Sequence, residues 1–241
     1  MLRGVIYNAG IGSRFCPGEV TLKSLLKISG KTIISHQIDR LLECKVTELV
    51  IVIGLEHEAI VNHVGELNLP LPVVFLENPY YRTHGNMMSF YVTSKLSPAD
   101  SIFTTGDFMC CGNVLGEFLN NSAQNKILVD DRPKYRGEHD DPVRVQVKRG
   151  RVTRLSKNDI MLENQSGVAP GFYQFSAEAN GSILRAIRNR LTSSQQSLYY
   201  AFDDILPDFN VTPSYVPDGE WWDIDSMSCY ENVKGFIQNE F

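Results

Sequence analysis

The sequence has no hydrophobic run long enough to cross a membrane, no surplus of basic residues and no closely spaced cysteine pair. Its longest apolar runs, such as residues 49–53, are far shorter than the roughly 20 residues that a membrane-spanning helix needs. Lysine and arginine number 23 against 28 aspartate and glutamate, a net charge of −5, which argues against bulk nucleic-acid binding. The five cysteines show no CxxC spacing, so neither a disulfide framework nor a structural zinc site is expected. Because Met1 leads into a strand-like segment without a secretory signal, we expect a cytoplasmic protein that binds neither membranes nor nucleic acids.

The first half of the chain alternates strand-like and helix-like patterns. Continuous apolar runs at 4–7, 48–53, 73–76 and 101–105 predict buried strands. Apolar residues at helical spacing predict helices over about 31–44, around 60–64 and over 87–95. Alternation of this kind predicts a Rossmann-like α/β fold, in which helices flank a mostly parallel mixed sheet.

The second half has a different pattern. Valines alternate with polar residues from 143 to 148, and Arg149-Gly150 turns the chain into a second apolar segment at 152–155, which predicts an antiparallel hairpin. Residues 171–175 predict another strand, and 181–191 predict another helix. Since no internal repeat or linker-like stretch is present, we predict one domain with an antiparallel hairpin extension.

A glycine-rich loop directly follows the first predicted strand. It reads Gly10-Ile11-Gly12-Ser13-Arg14, and its glycines would let the backbone approach phosphate oxygens at the carboxyl edge of the sheet. Phe15 occupies the place of the third glycine of a dinucleotide fingerprint, so that motif is excluded. A plain glycine turn with a solvated arginine remains the alternative.

Two acidic positions are candidate metal ligands. Asp107 follows the fourth predicted strand, and therefore lies at the same edge as the glycine loop. Asp223 and Asp225 would face one side of an extended segment, with Ile224 turned to the core. Mg²⁺ commonly takes one or two carboxylates and completes its shell with water and substrate phosphates. Asp107 and Asp225 would meet that need if the fold brings them together; a simple turn or helix cap is the alternative.

These blocks together resemble a known family. YNAGIGSRF at 7–15 and LKSLLKISGK at 22–31 are similar to the LAAGxGSRL and PKxLLxVxGKP blocks of the sugar-phosphate-type nucleotidylyltransferases. NPYY at 78–81, NMMS at 86–89, GD at 106–107 and WDID at 222–225 resemble later family blocks, in the same order. Within the family, the short length and these blocks look most like the phosphocholine and phosphonate cytidylyltransferases.

The resemblance implies a domain layout and a set of residue roles. It implies a single nucleotidyltransferase domain over 1–241, with a nucleotide-binding half at about 1–110 and an acceptor-binding half at about 111–241. Arg14 and Lys23 would be the catalytic cations, and Asp107 and Asp225 would hold Mg²⁺. The implied nucleotide-binding residues are Asn8, Ala9, Gly10, Gly12, Ser13, Arg14, Lys23, Asn86, Ser89 and Asp107.

The implied partners are CTP and a small phosphorylated alcohol or phosphonate, and a homodimer is left open. An ammonium group on the acceptor would favour aromatic faces and a carboxylate. The candidates are Tyr173, Tyr200, Asp203 and Trp222, for which packing in the core is the alternative.

Departures from the family pattern keep two other functions open. Asn8 replaces the usual small alanine, Leu22 replaces a proline, and His84-Gly85 replaces the usual Thr-Asn. One alternative is a hexose 1-phosphate nucleotidylyltransferase that uses UTP, GTP or dTTP. The other is an inactive nucleotide-binding regulatory subunit, which the altered loop at 15–19 suggests.

Overall fold

The computed structural model describes residues 1–10, 15, 22–54, 57–83, 85–132, 142–157, 164–191 and 197–240. Its strands are β1 (Leu2–Asn8), β2 (Lys27–Ile28), β3 (Lys31–Thr32), β4 (Glu48–Ile53), β5 (Val73–Glu77), β6 (Asp100–Thr105), β7 (Phe108–Cys111), β8 (Lys126–Val129), β9 (Arg144–Lys148), β10 (Arg151–Ser156), β11 (Gly167–Val168), β12 (Phe172–Phe175), β13 (Thr212–Tyr215) and β14 (Glu220–Asp223). Its α-helices are α1 (Ile33–Glu43), α2 (His57–Glu66), α3 (Gly85–Tyr91), α4 (Gly116–Asn120), α5 (Ala177–Arg190), α6 (Leu198–Ile205) and α7 (Met227–Glu240). Single 3₁₀ turns cover Lys23–Leu25 and Val92–Lys95.

A seven-stranded sheet in the order β13-β8-β12-β6-β1-β4-β5 forms the centre of the molecule. β1 pairs in parallel with β4 and β6, and β4 pairs in parallel with β5. β12 runs antiparallel to both of its neighbours, whereas β13 and β8 are parallel. The predicted fold class, a mostly parallel mixed sheet flanked by helices, is therefore confirmed.

The apolar patterns explain why the central strands and the first helix form. Residues 49–53 of β4 are all buried, as a β-branched run covered on both faces requires. In α1, Ile33, Ile34, Ile38 and Leu41 are buried, and the helix starts at Thr32, whose hydroxyl accepts from the Ser35 amide at 3.3 Å. These two elements fix the first half of the sheet against one of its helical layers.

Three smaller sheets are added to this core. The predicted hairpin is present as β9 and β10, and β11 pairs with β9 on the other side. β2 pairs with β3, and β14 pairs with β7 in an antiparallel two-stranded sheet. This last pair joins the C-terminal part of the chain to the turn after β6, and so matters most for the site below.

The structure also bears on the membrane prediction. Within the described ranges, none of the helices combines the length and apolar character needed to span a bilayer.

Candidate active site

The carboxyl ends of β1 and β6 lie side by side and create the candidate site. Tyr7 of β1 is in parallel register with Thr105 of β6, so Asn8 lies next to the turn formed by Gly106 and Asp107. A Cβ atom on Gly106 would lie 2.3 Å from the Tyr7 carbonyl oxygen, so only glycine lets this turn pass so close to β1. The turn therefore holds Asp107 directly beside the end of β1.

Lys23 joins the two predicted metal-binding aspartates. Its Nζ lies 3.3 Å from Oδ2 of Asp107 and 3.6 Å from Oδ1 of Asp225, and it donates to the Ile224 carbonyl oxygen at 3.0 Å. The three side chains are 15%, 26% and 35% exposed, so the cluster is sheltered but open on one side. One cation thus contacts carboxylates that are far apart in the sequence.

The β7–β14 pair is what brings Asp225 to this point. Asp223 is opposite Phe108 in the ladder, and the Ile224 amide donates to the Asp107 carbonyl oxygen at 2.9 Å. Ile224 is fully buried, as expected for a residue turned to the core between two outward aspartates. The next residue, Asp225, therefore reaches the side of the turn that carries the Asp107 carboxylate.

The electrostatics favour an ionised Asp107. Burial, the largest single effect, raises its pKa, but the Lys23 ammonium together with hydrogen bonds from Thr105, Lys23 and the backbone lowers it by more, so the net pKa lies below the ordinary value of 3.8. At neutral pH the turn thus carries a carboxylate whose charge is matched by Lys23. The carboxylate is therefore in the charged form that a metal ligand requires.

A cavity of about 60 Å³ at this edge collects many of the predicted nucleotide-binding residues. Its lining includes Asn8, Gly10, Lys23, Asn86 and Asp107. The Asn8 Nδ2 atom is buried and has no hydrogen-bond partner among the described residues. A buried donor of this kind is costly unless an acceptor occupies the neighbouring space, as a bound ligand or another part of the protein can.

Two larger cavities lie elsewhere and lack the acids of this one. A cavity of about 240 Å³ lies at the other end of β1, lined by Arg3, Arg188 and mainly apolar or hydroxyl side chains. Another of about 360 Å³ lies beside the β9–β10 turn, lined by Lys148, Arg149 and Arg151. Neither lining contains a carboxylate, so neither combines a cation with metal-binding oxygens.

The remaining predicted nucleotide-binding residues fall into two groups. Ala9 and Ser89 are buried at 4% and 2% exposure, and the Ser89 hydroxyl accepts from Nδ2 of Asn78 at 3.2 Å. Ser89 therefore contacts the NPYY segment and is not part of the cavity lining. Gly12, Ser13 and Arg14 lie outside the described residues, and their roles stay predictions.

The four predicted acceptor-binding side chains contact different neighbours. Tyr173 is only 1% exposed, and its ring packs 5.2 Å from that of Phe202. The Asp203 carboxylate accepts from the Leu155 amide at 2.8 Å, and Tyr200 lies under the guanidinium of Arg190. Trp222 packs edge-on against Phe236 of α7, 5.3 Å away, in a separate cluster. The structure thus brings both metal candidates and part of the nucleotide set together. Tyr200 and Asp203 lie on α6, against which Tyr173 packs, whereas Trp222 lies in a different apolar cluster.

A buried glutamine that sequence patterns did not single out supports the Asp107 turn. Gln37, on the inner face of α1, is 1% exposed and donates from Nε2 to the carbonyl oxygens of Thr105 and Phe108, at 3.0 Å each. These two carbonyls flank Asp107 on either side. Its only sequence signal is a polar residue within a mainly apolar helix face, which many helices show without such a role.

Replacing Gln37 with leucine tests this support. Loss of two buried hydrogen bonds should lower the free energy of unfolding by about 1–3 kcal/mol. Asp39→Asn, on the exposed face of the same helix, breaks only the surface pair with Lys31 and should change it by less than about 1 kcal/mol. Urea unfolding of both variants measures the difference. Equal stabilities would show that Gln37 does not hold the turn.

The donor set fits a metal shared with a ligand rather than a closed metal site. Among the described residues, no group of three or more histidine, cysteine, aspartate or glutamate side chains is arranged to hold a metal ion. Asp107 and Asp225 offer two carboxylates around one cation position, a number typical of Mg²⁺ sites that also use substrate phosphates.

Comparisons with known proteins identify the family of the chain. The model of the MobA-like NTP transferase domain matches residues 4–160. The choline-phosphate cytidylyltransferase of Streptococcus pneumoniae is 22% identical over 245 residues, covering 99% of this chain and 100% of that protein. The CMP-5'-(3-aminopropyl)phosphonate synthase of Streptomyces rubellomurinus is 28% identical over 133 residues, covering 55% of this chain and 21% of that protein.

Solved structures share the fold at lower identity. UDP-glucose pyrophosphorylase from Acinetobacter baumanii is similar with a TM-score of 0.78 and 15% identity, over 99% of this chain and 93% of that chain. At this identity the likeness shows the fold alone.

Proposed function

The chain belongs to the family of MobA-like NTP transferases and is a nucleotidyltransferase, and from this premise we propose that it transfers CMP from CTP to a small phosphorylated alcohol or phosphonate. The acceptor would be phosphocholine-like or aminoethylphosphonate-like, and pyrophosphate would be released. The cytidylyl part of the proposal is supported by the similarity to a choline-phosphate cytidylyltransferase along nearly the whole chain. The similarity to a phosphonate synthase supports the same nucleotide over about half of it.

The observation that carries the proposal is the meeting of Lys23, Asp107 and Asp225. A lysine between two carboxylates, beside a cavity lined by Asn8 and Asn86, provides opposite charges for a metal–triphosphate. The overall charge of −5 makes such a local cation significant for an anionic substrate.

Asp107 and Asp225 would hold Mg²⁺, since the two carboxylates already share one cation and their oxygens are the ligands Mg²⁺ prefers. When bound, the metal supplies charge neutralisation at the phosphates that the reaction rearranges. The Lys23 ammonium, which lines the same cavity, would neutralise charge on the α-phosphate. Arg14 would add a second cation from the glycine loop, as the family resemblance implies.

The proposed chemistry demands little of a general base. An oxygen of the acceptor's phosphate or phosphonate attacks the α-phosphorus, and the bond from that phosphorus to the bridging oxygen of pyrophosphate breaks. Because the nucleophile is already an anion, catalysis reduces to positioning and charge stabilisation by the chain's own cations. The buried turn at Gly106 and the Gln37 hydrogen bonds provide the rigidity that positioning requires.

The acceptor side of the proposal rests on β14 and the helices beyond it. Burial is the main cause of the raised pKa of Tyr173, and the neighbouring Tyr199 adds to it. Asp223 is exposed and lies two residues before Asp225. A carboxylate in that position suits an acceptor with an ammonium group, while Tyr173 itself is too buried to touch one without a rearrangement.

A substrate panel tests the proposal. The protein with Mg²⁺ would be incubated with CTP, UTP, GTP or dTTP and with phosphocholine, 2-aminoethylphosphonate or glucose 1-phosphate, and pyrophosphate would be measured. We expect release with CTP and one of the first two acceptors. Release with glucose 1-phosphate and another nucleotide would replace the proposal with a hexose 1-phosphate transferase. CTP binding without release from any pair would favour an inactive nucleotide-binding subunit.

Three further features stay predictions from the sequence. These are the cytoplasmic location, the division into a nucleotide-binding and an acceptor-binding half, and a homodimer. Gel filtration with light scattering decides the last of them directly.

A further inference from the structure

A buried carboxylate lies behind β14, away from the Lys23 cluster. Asp130, at the end of β8, is 0% exposed, and its backbone pairs with Val168 in both directions at 2.8 and 2.9 Å. Its side chain accepts from Trp221 Nε1 at 2.7 Å. The Arg132 guanidinium donates to both of its oxygens, at 3.0 Å from Nε and 2.7 Å from Nη2. The proposed reaction does not use this network.

The network holds the start of β14 at two points. One is the Trp221 indole, whose residue is opposite Cys110 in the β7–β14 ladder. The other is the Gly219 carbonyl oxygen, which accepts from Nη1 of Arg132 at 2.7 Å in the turn just before the strand. Gly219 has a φ of 89°, a conformation that favours glycine, so the turn itself is sharply defined.

β14 needs such an anchor because its own pairing is slight. It makes four register pairs with β7, from Glu220 with Cys111 to Asp223 with Phe108. A two-stranded sheet of this size is marginal in water without packing or side-chain ties. Since a slip by one residue would turn every β14 side chain to the other face, the register decides whether Asp225 or a neighbour faces Lys23.

Burying a charged side chain costs desolvation free energy, so a buried ion pair by itself contributes little net stability. Apolar side chains of similar volume often stabilise as well as a buried ion pair, whereas a bidentate arginine fork imposes one geometry. The side-chain contacts of Asp130 go to Trp221 and Arg132, and through them to the strand that ends two residues before Asp225. A charged network is explained here if its role is to hold that strand in one geometry.

We propose that Asp130, acting through Arg132 and Trp221, is a positioning residue that fixes the register of β14 and thereby the place of Asp225 beside Asp107. The functional half of this inference is the placing of Asp225 for a metal–nucleotide, and it rests on the proposed function. The structural half is the fixing of the β14 register, and it does not depend on that function.

Two conservative variants and one control test it. Trp221→Phe keeps an aromatic ring but removes the indole N–H, and Asp130→Asn keeps the shape of the side chain but removes the charge. Glu48→Gln breaks the Arg3–Glu48 pair, 2.6 Å long, on the opposite edge of the sheet and serves as the matched control for loss of a sheltered ion pair. Urea unfolding of all three variants identifies general destabilisation.

The first readout is the binding of Mn²⁺, as a probe for Mg²⁺, in the presence of CTP, followed by electron paramagnetic resonance. We expect the dissociation constant to rise by about 10-fold in both network variants, as for residues that orient metal ligands, and to stay unchanged in Glu48→Gln. Wild-type-like binding in Trp221→Phe and Asp130→Asn, or an equal loss in the control, would overturn the functional half.

The second readout is amide hydrogen exchange at Ile224, whose N–H is donated to Asp107. Faster exchange in the network variants than in Glu48→Gln supports the positioning role, and equal exchange overturns it. If the wild-type protein itself does not bind Mn²⁺ with CTP, the proposed function fails, while the Ile224 amide still decides whether Asp130 fixes the strand.

Discussion

Asp107→Asn should reduce turnover by about a thousandfold, since losing roughly 4 kcal/mol of metal-dependent transition-state stabilisation corresponds to that factor. The side chain keeps its size, and its carbonyl oxygen still accepts from Lys23, so the fold should survive. What is lost is one of the two charges that would hold the metal beside the α-phosphate. Initial rates of pyrophosphate release at saturating CTP, with circular dichroism as a check on folding, measure the effect.

Asp39→Asn is the matched control for this change. Asp39 pairs with Lys31 on the surface of α1, where its side chain is 38% exposed and remote from the cavity lining. Its rate should equal that of the wild type. An Asp107→Asn protein that keeps near-normal turnover would remove Asp107 from the metal site, and the proposed chemistry with it.

Lys23→Met should lower the turnover but strengthen the binding of Mn²⁺. Turnover should fall by about a hundredfold or more, because a preorganised donor to the reacting phosphate is lost. Mn²⁺ binding to the nucleotide-free protein should tighten, because the lysine no longer competes for Asp107 and Asp225. Lys31→Met, which removes an exposed lysine paired with Asp39, should change neither. A Lys23→Met variant that binds Mn²⁺ more weakly would show that Lys23 does not occupy the metal position.

The pH dependence of stability provides a further check on the same pair. The pKa of Asp107 is lowered in the folded protein, so its ionic contact with Lys23 contributes stability above the unfolded pKa of about 3.8 and loses it as the pH falls through the lower folded value. In Lys23→Met, only the remaining hydrogen bonds oppose the effect of burial, so the pKa of Asp107 should rise. The stability difference between wild type and variant should therefore be largest near neutral pH and shrink as the solution is acidified. A difference that is constant from pH 7 to pH 3 in urea unfolding would contradict the assignment.

Local patterns predicted the elements where pattern and burial agree. The β-branched run at 48–53 is β4 with the predicted bounds, and the alternating valines form the β9–β10 hairpin. The helix predicted at 181–191 begins earlier, at Ala177, because Ser176 caps it and Asn180 is tied to the Ala99 carbonyl oxygen at 2.9 Å. There a tertiary hydrogen bond outweighs the turn preference of Asn180-Gly181. The helix predicted over 87–95 instead changes at Val92 into a 3₁₀ turn.

The residues of the candidate site also divide into those that local patterns predicted and those that they did not. Short blocks around Lys23, Asp107 and Asp225 were recognisable because each follows a local rule or resembles a family motif. The acceptor candidates were chosen for their residue types alone, and the structure separates Trp222 from Tyr173 because they pack in different apolar clusters. Gln37 and Asp130 had no local signal, since the contacts that tie them to the site, Gln37 with Thr105 and Asp130 with Trp221, join residues 68 and 91 positions apart.

By itself, the amino-acid sequence determined the α/β class, the central strands and the membership of a nucleotidyltransferase family, because these depend on side-chain periodicity and on sequence blocks that are each only a few residues long. Only the tertiary structure decided that Lys23 lies between Asp107 and Asp225, that β14 pairs with β7, and that Asp130 anchors that strand. These contacts join segments separated by long stretches of chain. Such contacts form through burial and hydrogen bonding of the whole fold, which leaves no periodic trace in the segments themselves.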